Sequence, residues 1–503
     1  MMKIDTRGRW LTVTALVYIY IPVLLFLWGF TKWYIAFISS VAVIWGVYLL
    51  LSDIIKNHTT GEKDEPIYLS LPMFVLAAVV ITGLCMVLGV GGFFPQAGDW
   101  YKHNAVLSDL INFSWPVYYD DFGRCMLTYY LGQYLIPAVI GKLFGGFSTG
   151  SIVMFVTSVL GLWLIYIMLV KITRADNVIK QVALLLIMLL FCGPLNLTQS
   201  VLTQVCGDKF YSMGSYHWVL MDNILLQYRS NTIMIRWILP QIVVPWLTVI
   251  MLLEYRKKVN FYVILLLPTL LFGSFSFAAL VVLGIMEAIY LLIGREAKIT
   301  DVFSLTNILP ALSFGSVLFM YFLGNMQVDK PVSSSFRFQI YGPDELPLYI
   351  VFCLLMFGVY FACCYSVNKS DEQWYFNLLI LLLLPWTKMG LCNDVVMSGS
   401  IPSLFILMIM ICRTLFTQKE STALGIAKGI MIVFLLIGCI YPVKEIGDNI
   451  RDNRPGMETA DYYATMRWFT DRSDTNISED LVYNYYTYDP EGKIFYEYIA
   501  RKK

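Results

Sequence analysis

Along most of this chain apolar residues do not alternate with polar ones. They run in blocks of about 20 residues, the length that crosses a hydrocarbon layer as a helix. Such blocks lie near residues 11–30, 33–52, 71–91, 149–170, 178–198, 233–254, 259–276, 278–294, 305–323, 346–366, 374–391, 400–416 and 424–442. The pattern predicts an all-α polytopic membrane protein of about thirteen transmembrane helices. One more block, Met126–Phe144, is long enough to cross, but it carries Gly132, Gln133, Pro137, Gly141 and Lys142.

The polar punctuation sets the sidedness. With the N-terminus inside, Lys3, Arg7, Arg9, Lys56, Lys63, Lys171, Arg174, Arg256–Lys258, Arg295, Lys298, Lys369 and Lys419 all fall on the cytoplasmic side. Basic residues are then about fourfold denser inside than in the outer loops, as the positive-inside rule requires. If Met126–Phe144 crossed, later basic groups would switch to the outside. It is therefore expected to lie along the outer surface as an interfacial helix. Trp100–Phe113 is expected to form another, with Val106, Leu107, Leu110 and Ile111 on one side. The chain divides into a transmembrane domain, 1–442, with an external loop near 92–148, and an extracytoplasmic tail, 443–503. The basic residues ahead of Trp10 resemble a secretory signal, but no small-residue cleavage site follows, so the run reads as an uncleaved first span.

Composition supports this picture and narrows the chemistry. Of 503 residues 58% are hydrophobic and 14% charged, against roughly a quarter charged in soluble proteins. The net charge of +1 supplies no field for nucleic acid. Ten cysteines show no metal-ligand spacing, and three histidines, His58, His103 and His217, are too few for a histidine cluster. No phosphate loop, dinucleotide fingerprint or hydrolase elbow is present. Glu287 is the acidic residue nearest the middle of a predicted span.

The outer loop opens GGFFPQAGDWYKHNAVLSDLINF and continues to LTYYLGQYLIPAVIGKLFGG, residues 127–146. An acidic residue, Asp99, directly after a span, followed by two surface helices of which the second begins apolar–Tyr–Tyr, resembles the GT-C superfamily of membrane glycosyltransferases. That superfamily includes the protein O-mannosyltransferases and the lipid A aminoarabinose transferases. The stretches 224–247 and 391–407 resemble uncharacterised bacterial members, although those carry Arg where this chain has Ser398 or Gly399. Two spans, rather than one, precede the span leading into the loop.

The resemblance implies a transferase moving a hexosyl or pentosyl group from a polyprenyl-phosphate donor to a glycan, lipid or protein acceptor, in a bacterial plasma membrane. Asp99 would be the catalytic base; capping of the helix at Trp100 is the alternative. Lys102, His103, Arg229, Arg236 and Lys388 are candidates for the donor phosphate or the acceptor, with interfacial anchoring as the alternative. Asn104, Gln227, Asn231, Asn393 and Asp394 are candidate polar support. Asp120 and Asp121 are candidate ligands for Mg²⁺ or Mn²⁺, or simply a turn. The rival functions are a lipid or polysaccharide flippase and a polysaccharide polymerase.

Overall fold

A computed structural model describes residues 3–5, 9–57, 68–119, 125–213, 218–222, 224–326, 335–389, 393–418, 421–452, 485–488 and 490–502. The chain is predominantly helical, as its apolar blocks predict. Among the described residues eight helices are long and apolar enough to cross a membrane, and ten segments qualify if two bent pairs each count as one span. The expected thirteen is not reached on this basis, because three predicted spans correspond to shorter apolar helices or pieces: Leu71–Val87, Val259–Leu271 and Glu372–Leu383. The bends have local causes. Val178–Leu190 and Leu195–Cys206 meet at 51° across Gly193–Pro194, and Asn231–Gln241 meets Val243–Glu254 at 98° just past Pro240. Proline lacks the amide that a continuous helix needs.

The turns assigned to the inner side meet on one face. Lys171 pairs with Glu254. Lys258 pairs with Asp53 at 2.7 Å, and Arg256 with both Asp371 and Glu372 at 2.8 Å. Arg413 donates to the Ile172 carbonyl at 3.1 Å. Lys3–Asp5 forms a strand with Tyr68–Ser70. The opposite face carries the turn at Thr31, the Asp99 loop and the end of the chain, where Lys32 N–H donates to the Ile499 carbonyl and Arg501 N–H to that of Phe30.

The two expected interfacial helices exist, and both are packed into protein. Trp100–Asn112 is buried from His103 to Ile111. Its polar residues are covered too: Asp109 accepts from the Tyr119 hydroxyl at 2.5 Å. The second helix, Gly132–Phe144, stands beside the spans as one arm of a hairpin. Gly145 and Gly146, at φ +136° and +73°, make its turn into Gly146–Ile172. Gly141 packs at the Gly146 carbonyl, and lower down Gln133 bonds Tyr18 and Ser158. Tyr18 lies twelve residues, about 18 Å of helix, from Phe30 at the end of Arg9–Phe30. The segment therefore packs among the spans, and at 13 residues its helix is too short to cross by itself. Gln133 would be costly in lipid, but it finds partners inside the bundle.

Among the described residues four short antiparallel sheets decorate the helices. In one, the tail strand Tyr486–Tyr488 pairs with Cys125–Leu127, which pairs in turn with Tyr118–Tyr119. A second is the meander Tyr211–Met213, Trp218–Met221 and Ile224–Gln227. Strands this short carry too little period-2 pattern to be read from sequence.

Candidate functional site

Five separated segments converge on the face opposite the basic turns. The first is the start of Trp100–Asn112. Trp100 donates from its indole to the Arg236 carbonyl at 2.7 Å, fixing this end. Asp99, the residue before the helix, makes no side-chain capping bond, so the structural alternative for it falls. Its carboxylate instead pairs with Lys102 at 2.9 Å. The side chains keep 30% and 21% of their surfaces open although protein surrounds them. Charged groups that are both enclosed and wetted line a recess.

Two further charges complete the cluster. Arg229 acts on Asp99, and Asp394 acts on Lys102, Arg229 and Asp99. Arg229 directly precedes Ser230, whose hydroxyl caps Asn231–Ile238 by accepting from Ile233 N–H at 3.2 Å. Gln227 ties the two loops together. Its Oε1 accepts from Arg229 at 3.3 Å and its Nε2 donates to the Asn393 carbonyl at 3.2 Å. Asn393 returns a bond to the Leu225 carbonyl at 3.1 Å from a left-handed backbone position, φ +48°, which asparagine tolerates well. That turn aims Asp394 at the start of its helix.

Electrostatics settles the charge states at the helix end. Burial by itself would raise the Asp99 carboxyl, but Lys102, His103 and Arg229 together hold it below its ordinary value. Burial likewise works against the Lys102 ammonium, and Asp99 reverses the effect, so it stays charged. His103 is pushed down to about 4 by burial, against the pull of Asp99. The neutral ring lies 3.0 Å from the Trp237 carbonyl and 2.6 Å from the Tyr134 hydroxyl. The carbonyl only accepts, so Nε2 carries the proton and Nδ1 accepts from Tyr134. Both nitrogens are committed, and His103 positions the helix rather than meeting a phosphate.

Other expectations need correction for the same reason. Arg236 is not turned to the recess. It pairs with Glu445 at 2.5 Å and Asn449 at 2.7 Å on the helix Ile440–Arg451. Asn231 holds the bent span by donating to the Met188 carbonyl at 2.7 Å. Asn104 donates to Gln96 at 2.7 Å. Lys388 lies in a separate strand pair opposite Arg337; burial lowers its ammonium and Arg337 adds to the effect. Asp120 and Asp121 lie outside the described residues, among which no group of three or more His, Cys, Asp and Glu could hold a metal ion.

The recess also has an aromatic wall without assigned roles in the sequence reading. The rings of Tyr129 and Tyr485 pack tilted with centroids 4.5 Å apart, those of Tyr129 and Tyr130 likewise at 4.8 Å, and Lys102 lies 5.7 Å from the centre of the Tyr485 ring. Gln241 reaches the Tyr129 hydroxyl at 3.4 Å, and Ser398 reaches Gln241 at 3.4 Å. Tyr129 belongs to the Leu127–Tyr130 motif quoted above. The tail's density of tyrosines was the available signal for Tyr485. Comparison with family models, with curated proteins and with solved structures gave no match.

Proposed function

We propose that this membrane protein is a glycosyltransferase that takes a sugar from a polyprenyl-phosphate donor at the recess and passes it to an acceptor hydroxyl. The observation that carries the reading is the ion pair of Asp99 with Lys102 at 2.9 Å, in an enclosed but solvent-open recess where Arg229 also acts on the carboxylate. This reaction needs a base and a cation side by side. The acceptor oxygen bonds to the anomeric carbon while the bond from that carbon to the phosphate oxygen breaks. Asp99 takes the acceptor's proton. Lys102 and Arg229 stabilise the phosphate that leaves with the electron pair. Donor entry would draw Lys102 from Asp99 to the phosphate and free the carboxylate to act.

The resemblance to the GT-C enzymes supports the reading through the position of Asp99 after its span and the two helices that follow it. The recess would then face away from the cytoplasm, because the opposite face collects the basic turns. The deciding experiment is mass spectrometry of membrane lipids and glycans from cells with wild-type protein, with Asp99→Asn, or with none. Loss of a glycan product in the variant, with donor lipid accumulating and protein level unchanged, is expected. An unchanged glycan profile in Asp99→Asn would remove Asp99 as the base. A donor lipid retained on the wrong leaflet would point to a flippase instead.

A further inference from the structure

The short strand Arg337–Phe338 is built inside out relative to a strand of a soluble sheet. Its extended run exposes Phe336, Phe338 and Ile340, at 54%, 73% and 83%, and buries Gln339 and Tyr341. Gln339 donates to the Pro385 carbonyl at 2.7 Å and accepts from Leu225 N–H at 3.4 Å. The Tyr341 hydroxyl donates to the same Pro385 carbonyl at 2.6 Å. Side chains two apart share a face of a strand, so the apolar trio forms one face and the polar groups turn to the protein. The Phe336 and Phe338 rings meet edge to face at 5.5 Å. Apolar-out with polar-in is the pattern of a strand surrounded by lipid. The chain then enters the candidate span Leu346–Asn368, where Leu346, Ile350 and Leu354, spaced by four, are exposed along one side. The apolar face of the strand thus runs on, six residues later, into a lipid-facing stripe.

Charge says which lipid. The register of the strand pair sets Arg337 directly opposite Lys388. Like charges in that relation destabilise a sheet, and an anion beside both removes the cost. The sheet has two strands, so among the described residues no third strand covers the outer edge of Arg337–Phe338. Arg and Lys stems are long enough to carry their charged heads round such an edge. The pair sits at the same end of the bundle as the recess, because Asn393 donates to the carbonyls of both Thr387 and Leu225, at 3.2 and 3.1 Å. It is nevertheless a separate place: the cations that act on Asp394 are Lys102 and Arg229.

We propose that this strand pair seats an anionic phospholipid, whose phosphate lies between Arg337 and Lys388 at the open edge and whose acyl chains run along Phe336, Phe338 and Ile340. The planar guanidinium suits bidentate contact with a phosphate, and the Lys388 ammonium adds a second charge. The chains continue the lipid that already covers Leu346, Ile350 and Leu354. The seat is independent of the function proposed for the recess, since none of its residues is assigned a part in that reaction.

Native mass spectrometry of the purified full-length protein in detergent, titrated with phosphatidylglycerol or phosphatidylcholine, tests the seat. The wild type should hold one phosphatidylglycerol more tightly than phosphatidylcholine. That preference should fall about 5-fold in Arg337→Gln or Lys388→Gln and about 30-fold with both, the equivalent of about 1 kcal/mol per cation at a lipid surface. Lys209→Gln, which removes an exposed cation paired with Asp344, should leave it unchanged. Phe338→Ser, at an exposed position, should weaken both lipids alike, and it serves if the charge variants do not fold. Equal binding of the two lipids by the wild type overturns the proposal. So does a preference that survives the double variant, or unchanged affinity in Phe338→Ser. Binding of polyprenyl phosphate but not phosphatidylglycerol, lost in the double variant, also overturns it and gives the seat to the donor.

Discussion

At the scale of single residues the recess is governed by which side chains are already spoken for. Asp99 and Lys102 pair where Arg229 and Asp394 also act on them, whereas Arg236 and His103 are consumed by protein partners. Asp99→Asn is expected to lower transfer by about 10²–10⁴-fold, the usual worth of a positioned base, with donor binding kept; single-turnover assays with a purified donor would check this. Arg236→Met leaves Glu445 buried without its cation and should cost on the order of 3–5 kcal/mol. The double variant Arg236→Met with Glu445→Met should recover most of it, and a double-mutant cycle by thermal denaturation separates the cases. His103 gives a pH dependence. Folding holds it neutral down to about 4, whereas its ordinary value is 6.5. The unfolded chain therefore binds the extra proton first. The histidine's contribution, about 3 kcal/mol, is present above pH 6.5 and lost as the pH falls toward 4. Melting curves across that window should be flatter for His103→Gln.

At the scale of elements the instructive case is Gly132–Phe144. Its charge context predicted that it does not cross, and its helix of 13 residues is shorter than a span needs. Its pose was not legible, because a Gln and several glycines disqualify a segment from lipid without saying what replaces the lipid. The answer is a hairpin against Gly146–Ile172 and Arg9–Phe30, made possible by close approach. A Cβ at Gly141 would come within 2.7 Å of Ile111 and 2.9 Å of the Gly146 carbonyl. One of those atoms is backbone and cannot easily give way. Gly141→Val should therefore destabilise the protein by about 1–3 kcal/mol through overpacking. Gly425→Val, where no atom lies within 4 Å, should have little such effect. Thermal unfolding in one detergent compares the two. The bent spans follow the same logic: proline marked where a helix would break, and packing set the angle.

At the scale of the whole molecule the two faces divide the work. One is stitched by ion pairs, and the other gathers the recess under the end of the chain. The strand Tyr486–Tyr488 reaches back to Cys125–Leu127, and Tyr485 lies against Tyr129 beside Lys102. Removing residues 485–503 should raise amide exchange at 125–131 and abolish transfer, while the basic face keeps its protection. Hydrogen exchange with mass spectrometry reads both at once. By itself the sequence determined the polytopic helical character, the grouping of the basic turns and the candidacy of Asp99, Lys102, Arg229 and Asp394. Block length, charge asymmetry and residue chemistry are properties of the chain taken in order. Only the tertiary structure decided that Asp99 pairs with Lys102 rather than capping its helix, that Arg236 and His103 are committed elsewhere, and that residues as distant as Tyr129 and Tyr485 share a wall. The physical reason is that a buried polar group must be satisfied by whatever packing brings to it, and that partner can lie hundreds of positions away.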